Sequence, residues 1–199
     1  MVEDQRLARA RLATPCGDIL VAASAAGVER LWLPGELNAA PPAALSGHTD
    51  AGAGLDIAAG AGPDSAQRIL TQALVELEEY FSGQREQFHG PVALAAPAGS
   101  FRSRALAALR ALDYGSTISY TELAAAAGSP RAARAAGSVC AHNPVPIFIP
   151  CHRVLPAAAN AARAQAGGQA AVGAYRGGAA LKAWLLQLEA GVVRPQRRP

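Results

Sequence analysis

The apolar positions of the first part of the chain follow two different periods. Over residues 7–33, apolar and polar residues alternate in short runs that two turn sequences interrupt, which predicts three short β-strands. Over residues 65–80 the apolar residues recur every three or four positions and Gly83 follows, which predicts one amphipathic helix. Glu76 is expected on the solvated face of that helix. This region is therefore expected to be a small antiparallel sheet covered by a helix.

Helical periodicity dominates the second half of the chain. Apolar spacing predicts a helix over residues 101–112, and Ser119 opens a capping-box sequence that predicts another over 121–127. A glycine and then a Ser-Pro pair predict that the next helix, over 130–136, starts at once. Two helices joined by so short a turn form a helix-turn-helix. A last helix is predicted over 179–190, with its apolar residues on one face.

The pattern divides the chain into two expected domains, an α/β domain over residues 1–97 and a mainly α-helical domain over 98–199. Residues 34–63 are mostly Ala, Gly and Pro. They bury too little surface to offset their ordering entropy, so we expect a mobile loop there. The Ala- and Gly-rich residues 155–172 are expected to be a flexible insertion, and the Arg- and Pro-rich tail 192–199 is expected to be disordered.

Composition disfavours several classes of protein. No apolar run approaches the roughly 18 residues of a membrane span, and no apolar stretch follows the charged N-terminus as in a signal peptide. The three cysteines, Cys16, Cys140 and Cys151, form no close pair, which disfavours a disulfide framework. Together with His48 and His89 they give no credible set of zinc ligands. We expect a monomeric cytoplasmic protein without metal or cofactor.

The net charge of +3 is unevenly distributed. Residues 1–99 carry six arginines and twelve acidic residues, a net charge of −6. Residues 100–199 carry eleven arginines, one lysine and three acidic residues, a net charge of +9. A solvated basic surface is the simplest explanation, but so high a charge on one half is also typical of proteins that bind a polyanion. Only the second half is expected to contact nucleic acid.

Residues 150–154, Pro-Cys-His-Arg-Val, carry the strongest candidate chemistry. They follow the apolar run 147–149, which predicts a short buried strand that would hold Cys151 rigidly at its end. A single cysteine is more often a small buried hydrophobic residue than a nucleophile. Because consecutive residues of an extended segment point to opposite sides, Cys151 and His152 can cooperate only through a bend or a bridging water. Taken alone, these residues leave both interpretations open.

The longer block over residues 143–154, Asn-Pro-Val-Pro-Ile-Phe-Ile-Pro-Cys-His-Arg-Val, resembles the active-site signature of the O6-alkylguanine-DNA alkyltransferases. The resemblance is strong over residues 101–191 and weak over residues 10–88. It implies a ribonuclease H-like α/β cap domain, then a mainly α-helical domain with a helix-turn-helix. It also implies single-turnover DNA repair, in which Cys151 accepts the alkyl group from O6 of a guanine flipped out of double-stranded DNA.

The resemblance assigns further roles by position. Glu189, His152 and a water relay a proton from Cys151, which needs activation because a free thiol is mostly protonated at neutral pH. Asn143 supports the active-site turn, and Tyr120 contacts the DNA backbone and donates to the guanine. The residues implied to line the base pocket are Pro146, Val154, Tyr175, Arg176 and Gly177. A small residue is common in the family where Arg176 stands, which leaves the pocket size open.

Glu189 is predicted in the last turn of a helix, where the helix dipole disfavours an anion by roughly 0.3–1 kcal/mol. A partner such as His152 would explain the glutamate. On this basis Glu189→Gln is expected to slow alkylation of Cys151 while leaving the fold nearly intact.

The alanine-rich helix over 130–136 is either a DNA-contacting helix or a packed scaffold helix. The resemblance favours DNA contact, with Arg134 as the arginine that enters the base stack from the minor groove and fills the place of the flipped guanine. The other residues implied to contact DNA are Arg131, Tyr120, Ser119, Thr121 and Ala133. Binding is expected to be largely independent of sequence and to weaken steeply with salt.

Three functions from different classes remain at this point. The first is a stoichiometric DNA alkyltransferase, and the second is a damage-binding or methyl-sensing relative that transfers nothing. The third is a cysteine hydrolase that uses Cys151 and His152. The second is disfavoured because the cysteine is present and no cysteine-rich zinc domain occurs in the sequence. The third is disfavoured because no oxyanion-hole signature is recognisable and the helix-turn-helix would stay unexplained.

Overall fold

A three-stranded antiparallel sheet in the order β1-β2-β3 forms the N-terminal part of the protein. The computed structural model describes residues 7–39, 65–159 and 172–192. The strands are β1 (Ala8–Leu12), β2 (Ile19–Ser24) and β3 (Gly27–Trp32), which confirms the three strands predicted from the alternation. β2 is buried along its whole length, because β1 and β3 pair with its two edges and a helix packs against it.

Helices form most of the regular secondary structure in the remaining described residues. They are α1 (Pro34–Ala39), α2 (Ser65–Phe81), α3 (Phe101–Arg110), α4 (Tyr120–Ala126), α5 (Ala133–Ala141) and α6 (Ala179–Glu189). The predictions of α2, α3, α4 and α6 are confirmed to within two residues at each end. The capping box is also confirmed, since the Ser119 hydroxyl accepts from the backbone of Glu122 and the Glu122 carboxylate accepts from the backbone of Ser119. No helix in the described parts of the chain is both long and apolar enough to cross a membrane.

Two cores meet at the segment that holds the candidate chemistry. The first core joins the sheet and α2 to Val145, Ile147 and Phe148 and to the apolar face of α6. The second joins α3, α4 and α5 to Ile149 and Cys151. A short parallel pair of strands, β4 (Ile118–Ser119) and β5 (Val154–Leu155), closes the second core behind the cysteine. Cys151 therefore lies where the N-terminal sheet, the helical half and α6 come together.

Two expected flexible segments are partly structured. The loop predicted over 34–63 begins with α1, in which the Glu36 carboxylate accepts a hydrogen bond from the backbone N–H of Leu33 at 2.9 Å and so caps the helix. The insertion predicted over 155–172 begins with the last residue of β5. The rest of the loop predicted over 34–63, with His48, lies outside the described residues. Residues 160–171 of the insertion and the tail from residue 193 also lie outside them.

The helix predicted over 130–136 begins later than expected, at Ala133. The backbone N–H of Ala132 donates to the carbonyl of Ser129 at 2.9 Å and closes a separate turn there. The Ser-Pro pair therefore starts a turn rather than a helix. α5 has no side-chain N-cap and continues to Ala141.

Glu76 is buried, with 3% of its surface exposed, although the helical pattern placed it on the solvated face. Its Oε2 accepts the backbone N–H groups of His89 and Gly90, each at 3.2 Å, and its Oε1 accepts from the Gln72 amide at 3.1 Å. These partners satisfy the carboxylate in place of water. Two of them lie 13 and 14 residues away, beyond the reach of the pattern within one helix.

Candidate active site

A tight turn over residues 145–150 carries the candidate site, so the strand predicted over 147–149 is wrong. The backbone N–H of Ile149 donates to the carbonyl of Val145 at 3.0 Å, and Ile147 adopts a positive φ of 77°. Two prolines in the turn have no N–H to donate, so the segment cannot pair as a strand interior. A β-branched residue at positive φ costs roughly 1–3 kcal/mol and is typical of functional sites. Burial of the Ile147 side chain in the first core holds the turn in place.

Asn143 ties both ends of this turn to the cysteine. Its Oδ1 accepts the backbone N–H of Val145 at 3.1 Å, and its Nδ2 donates to the carbonyl of Ile149 at 2.8 Å. The same Nδ2 lies 3.2 Å from Sγ of Cys151 and donates to the sulfur. The amide is 1% exposed, so these bonds do not compete with bulk water. Asn143 therefore fixes the position of the sulfur and stabilises negative charge on it.

Cys151 begins a turn of 3₁₀ helix, Cys151–Arg153, and is 4% exposed. Burial raises the pKa of its thiol, against the opposing effects of the Asn143 hydrogen bond and the positive charges of Arg176 and Lys182. The resting sulfur is therefore protonated. Reaction as a nucleophile needs a base that takes the proton as the new bond forms.

The Glu189 carboxylate accepts five hydrogen bonds from three other parts of the chain. Its Oε1 accepts from Tyr80 Oη and His152 Nε2, both at 2.8 Å, and from Arg153 Nη2 at 2.9 Å. Its Oε2 accepts from Arg153 Nε at 2.9 Å and from the backbone N–H of Gly115 at 3.2 Å. Burial favours a raised pKa, but His152 and Arg153 outweigh it and hold the pKa of the Glu189 carboxyl well below its ordinary value. The carboxylate stays ionised despite its position at the end of α6.

The imidazole of His152 is fully buried and has its two nitrogens in different roles. Because an ionised carboxylate only accepts, His152 Nε2 must carry the proton of the bond to Glu189. Burial lowers the pKa of His152, although Glu189 opposes that effect, so the neutral ring is favoured. In the neutral ring Nδ1 is then the acceptor, and Nδ1 has no hydrogen-bond partner among the described residues. The ring can therefore take up one proton at Nδ1.

A cavity of about 300 Å³ opens beside the thiol. Its walls come from α4, α5, the 3₁₀ turn that begins at Cys151 and the loop before α6. The lining residues include Tyr120, Cys140, Cys151, Tyr175 and Arg176. Burial raises the pKa of both tyrosine hydroxyls, so both stay protonated and can donate. Tyr175 Oη is buried without a hydrogen-bond partner among the described residues. A flat group with acceptor atoms would satisfy it.

Not all predicted pocket residues face the cavity. Tyr175 and Arg176 line it, whereas Pro146 and Val154 are buried in the surrounding core. Gly177 allows close packing at the start of α6, because a Cβ there would lie 2.5 Å from Leu181 Cδ2.

The residues predicted to contact DNA lie on α4 and α5, in the turn between them and, for Ser119, at the end of β4 where it caps α4. Arg131, Arg134 and Thr121 are exposed, and Ala133 is half-buried. Ser119 is 7% exposed and its hydroxyl caps α4, so that hydroxyl has a structural partner already.

Several residues of the site were not predicted from the sequence. Lys182 is 1% exposed and donates through Nζ to the carbonyl of Val154 at 2.7 Å, and Cys140 lines the cavity. Lys182 is the one lysine of the chain and lies in a helix rich in apolar residues, beside Leu181 and close to Leu185, which was a usable signal. Tyr80 lies 109 residues from Glu189, and no local pattern could connect them.

The chain is similar in sequence to proteins of one known family. Residues 100–191 match the family model of the 6-O-methylguanine DNA methyltransferase DNA-binding domain. The constitutive methylated-DNA–protein-cysteine methyltransferase of Bacillus subtilis (strain 168) is 38% identical over 121 residues, which are 60% of this chain and 66% of that protein. The methylated-DNA–protein-cysteine methyltransferase of Methanosarcina barkeri is 35% identical over 128 residues, which are 64% of this chain and 73% of that protein.

Solved structures extend the likeness to the N-terminal part. The crystal structure of Mycobacterium tuberculosis O6-methylguanine methyltransferase matches with a TM-score of 0.68 and 26% identity, over 97% of both chains. A structure from the same organism in complex with DNA matches with a TM-score of 0.65, over 92% of this chain and 93% of that one. In sequence, the chain spans just under two-thirds of the length of the Bacillus protein. Since it also aligns with nearly three-quarters of the Methanosarcina protein at 35% identity, the chain belongs to the methylated-DNA–protein-cysteine methyltransferase family.

Proposed function

We propose that this chain repairs DNA by moving the alkyl group of an O6-alkylguanine onto Cys151, once per molecule. One observation carries the proposal: a buried thiol forms part of the wall of a cavity, with the Asn143 amide and the His152–Glu189 pair behind it. The cavity also presents the donors of Tyr120 and Tyr175. A flipped guanine supplies the flat face and the acceptor atoms that such a cavity accommodates.

The proposed chemistry is one displacement at carbon. His152 Nδ1 takes the proton of the Cys151 thiol, through a water if the two do not touch, and the sulfur attacks the alkyl carbon. A carbon–sulfur bond forms, the carbon–O6 bond breaks, and its electron pair goes to the guanine. A tyrosine of the cavity, Tyr120 by its family position, donates a proton to the leaving guanine and regains one from solvent, while His152 releases to solvent the proton that it took from the thiol. The product is a thioether, which has no proton to lose and no route back to the thiol, so each molecule acts once.

DNA recognition is proposed to use α4 and α5 as a helix-turn-helix. The two helices pack against each other, and the exposed Arg131 and Arg134 lie in the turn before α5 and in its first turn. Arg134 is one helical turn before Gly137, which lines the cavity. Few side chains on α5 can read base edges, so the contact should be largely independent of sequence. Arg134 would occupy the space that the flipped guanine leaves.

We further infer a monomeric protein acting in a reducing cytoplasm, with the N-terminal sheet and α2 as a ribonuclease H-like cap. One described chain supplies the thiol, the relay and the cavity, so the chemistry needs no second subunit. All three cysteines are free, which suits a reducing compartment.

Methylation of Cys151 should be stoichiometric. After incubation with a duplex that contains O6-methylguanine, intact-protein mass spectrometry should show one added methyl group per molecule, and peptide mapping should place it on Cys151. A plateau at one methyl group in the presence of excess substrate distinguishes this reaction from catalytic turnover. Demethylated DNA with an unchanged protein mass would reject the proposal.

Arg134→Ala should slow repair of duplex DNA by roughly ten- to a hundredfold, because extruding a stacked base costs a few kcal/mol. Reaction with the free base O6-methylguanine should change little, since no base needs to be flipped. Single-turnover rates on both substrates measure the difference. Arg68→Ala, which removes an exposed arginine from α2, is the matched control for loss of charge. Equal slowing on both substrates would show that Arg134 takes no part in flipping.

A further inference from the structure

Arg176 joins three parts of the chain at the rim of the cavity. Its Nη1 donates to the carbonyl of Asn143 at 2.7 Å, and its Nη2 donates to the carbonyl of Leu31 in β3 at 2.9 Å. Its Nε lies 3.1 Å from Oε2 of Glu36 in α1, in an ion pair in which both side chains are about one-fifth exposed. The guanidinium therefore lies between the N-terminal sheet and Asn143, the residue that supports the turn over residues 145–150. The Arg176 side chain forms part of the cavity wall, and a cavity of about 300 Å³ remains beside it.

The contact with Asn143 links Arg176 to the sulfur. Arg176 holds the backbone carbonyl of the residue whose side chain donates to Cys151 Sγ at 3.2 Å. β3 also supports this segment directly, because the backbone N–H of Leu31 donates to the carbonyl of Pro144 at 2.9 Å. The N-terminal sheet is thus bonded twice to residues 143–144, just before the turn over residues 145–150. One link runs through Arg176, and the other is a backbone hydrogen bond from β3.

Arg176 also brings a fixed positive charge to the cavity. The charge of Arg176 opposes the effect of burial on the pKa of the Cys151 thiol. Removing it leaves Lys182 as the other cation that acts on the sulfur. The remaining ionisable groups that face the thiol from the elements around it are Tyr120, Cys140, His152 and Tyr175. None of these four is a permanent cation.

We propose that Arg176 is a positioning residue for the transfer, which holds Asn143 against the thiol and favours the thiolate through its charge. Its contacts to Leu31 and Glu36 make both effects depend on the packing of the N-terminal sheet and α1 against the site. The proposal rests on the proposed function for its biological meaning, but the reactivity of the thiol can be measured without DNA. Arg176 touches neither the sulfur nor the alkyl group in this scheme. It acts through Asn143 and through its field.

The test is the pH dependence of Cys151 alkylation by iodoacetamide, a small neutral reagent, followed by mass spectrometry of the Cys151 peptide. Arg176→Ala should shift the rate profile to higher pH and slow labelling at neutral pH by roughly three- to tenfold, as expected when a nearby cation is lost. Arg176→Lys keeps the charge but lacks the planar fork of donors that reaches Asn143 and Leu31 together, and should recover part of the rate. Glu36→Gln keeps the guanidinium and removes its counter-ion, so its profile should stay in place or move to lower pH.

A shift to higher pH in Arg176→Ala that is absent from Glu36→Gln separates an effect of the Arg176 charge from simple loss of the contact with α1. Arg85→Ala, which removes a different arginine paired with Glu79 at 2.7 Å, controls for loss of an ion pair, and thermal unfolding controls for folding. Superimposable profiles for Arg176→Ala and the parent protein would overturn the inference, as would equal upward shifts in Arg176→Ala and Glu36→Gln. If the parent protein transfers no methyl group from DNA while these profiles still differ, the proposed function fails and the role of Arg176 in thiol reactivity stands.

Discussion

Cys151→Ser should lose methyl transfer completely while still binding duplex DNA. Its hydroxyl fits the space of the thiol and can accept from Asn143, but an alcohol is a far weaker acid and nucleophile than a thiol, and His152 cannot activate it to the same degree. Binding is expected to rely on the exposed Arg131 and Arg134 and on the cavity, neither of which changes. Gel-shift titration and intact-protein mass spectrometry on the same sample measure the two properties separately.

Cys140→Ser is the matched control, because Cys140 lines the same cavity. Burial, with a contribution from Cys151, raises the pKa of the Cys140 thiol to about 12, so Cys140 should accept no methyl group and its substitution should leave the stoichiometry at one. A methyl group found on Cys140 in the Cys151→Ser variant would assign the chemistry to the cavity as a whole rather than to one sulfur.

Glu189→Gln should both slow alkylation and destabilise the fold by roughly 3–5 kcal/mol, the usual effect of breaking a buried ion pair. The sequence alone suggested that the fold would stay nearly intact, but the structure shows that Arg153 is 4% exposed and donates twice to this carboxylate. Without the negative charge, the guanidinium is left buried and unpaired, and His152 loses the partner that orients it. Chemical unfolding gives the stability, and the pH profile of Cys151 alkylation gives the reactivity.

Two controls separate these effects. Glu78→Gln removes an exposed carboxylate from α2 and should change neither quantity beyond about 0.5 kcal/mol, as is usual for surface substitutions. Tyr80→Phe removes one hydrogen bond to Glu189 and leaves the charge, so it should cost roughly 1–3 kcal/mol and shift the profile little. A Glu189→Gln variant with lowered stability but an unchanged rate profile would make the glutamate a purely structural residue.

The parts of the fold that local chemistry determines could be predicted from the sequence. The capping box of α4 lies within four residues, and the apolar period of α2 and of α3 identifies each helix without knowledge of its partner. The candidate site depended more on the resemblance, which pointed to Cys151, His152 and Glu189. In the structure, Nε2 of His152 lies 2.8 Å from Oε1 of Glu189.

The features that could not be predicted depend on contacts between distant segments. An apolar run such as residues 147–149 is equally compatible with a strand and with a buried turn, and only the Asn143 side chain and the surrounding cores determine which one forms. Glu76 is on the side of α2 that helical periodicity calls polar, yet its partners come from the next segment. Arg176 was judged by its size, whereas its partners in α1 and β3 determine where it points.

The five hydrogen bonds of Glu189 also bear on how the protein folds. Tyr80, Gly115 and Arg153 lie 109, 74 and 36 residues before it in the sequence. Contacts of such range form late, because the entropy of closing long loops must be overcome before they contribute stability. During synthesis α6 also leaves the ribosome after the other partners. A nascent or partly folded chain therefore holds a cysteine without the His152–Glu189 pair and without the cavity, and competence for transfer arises only once α6 has packed.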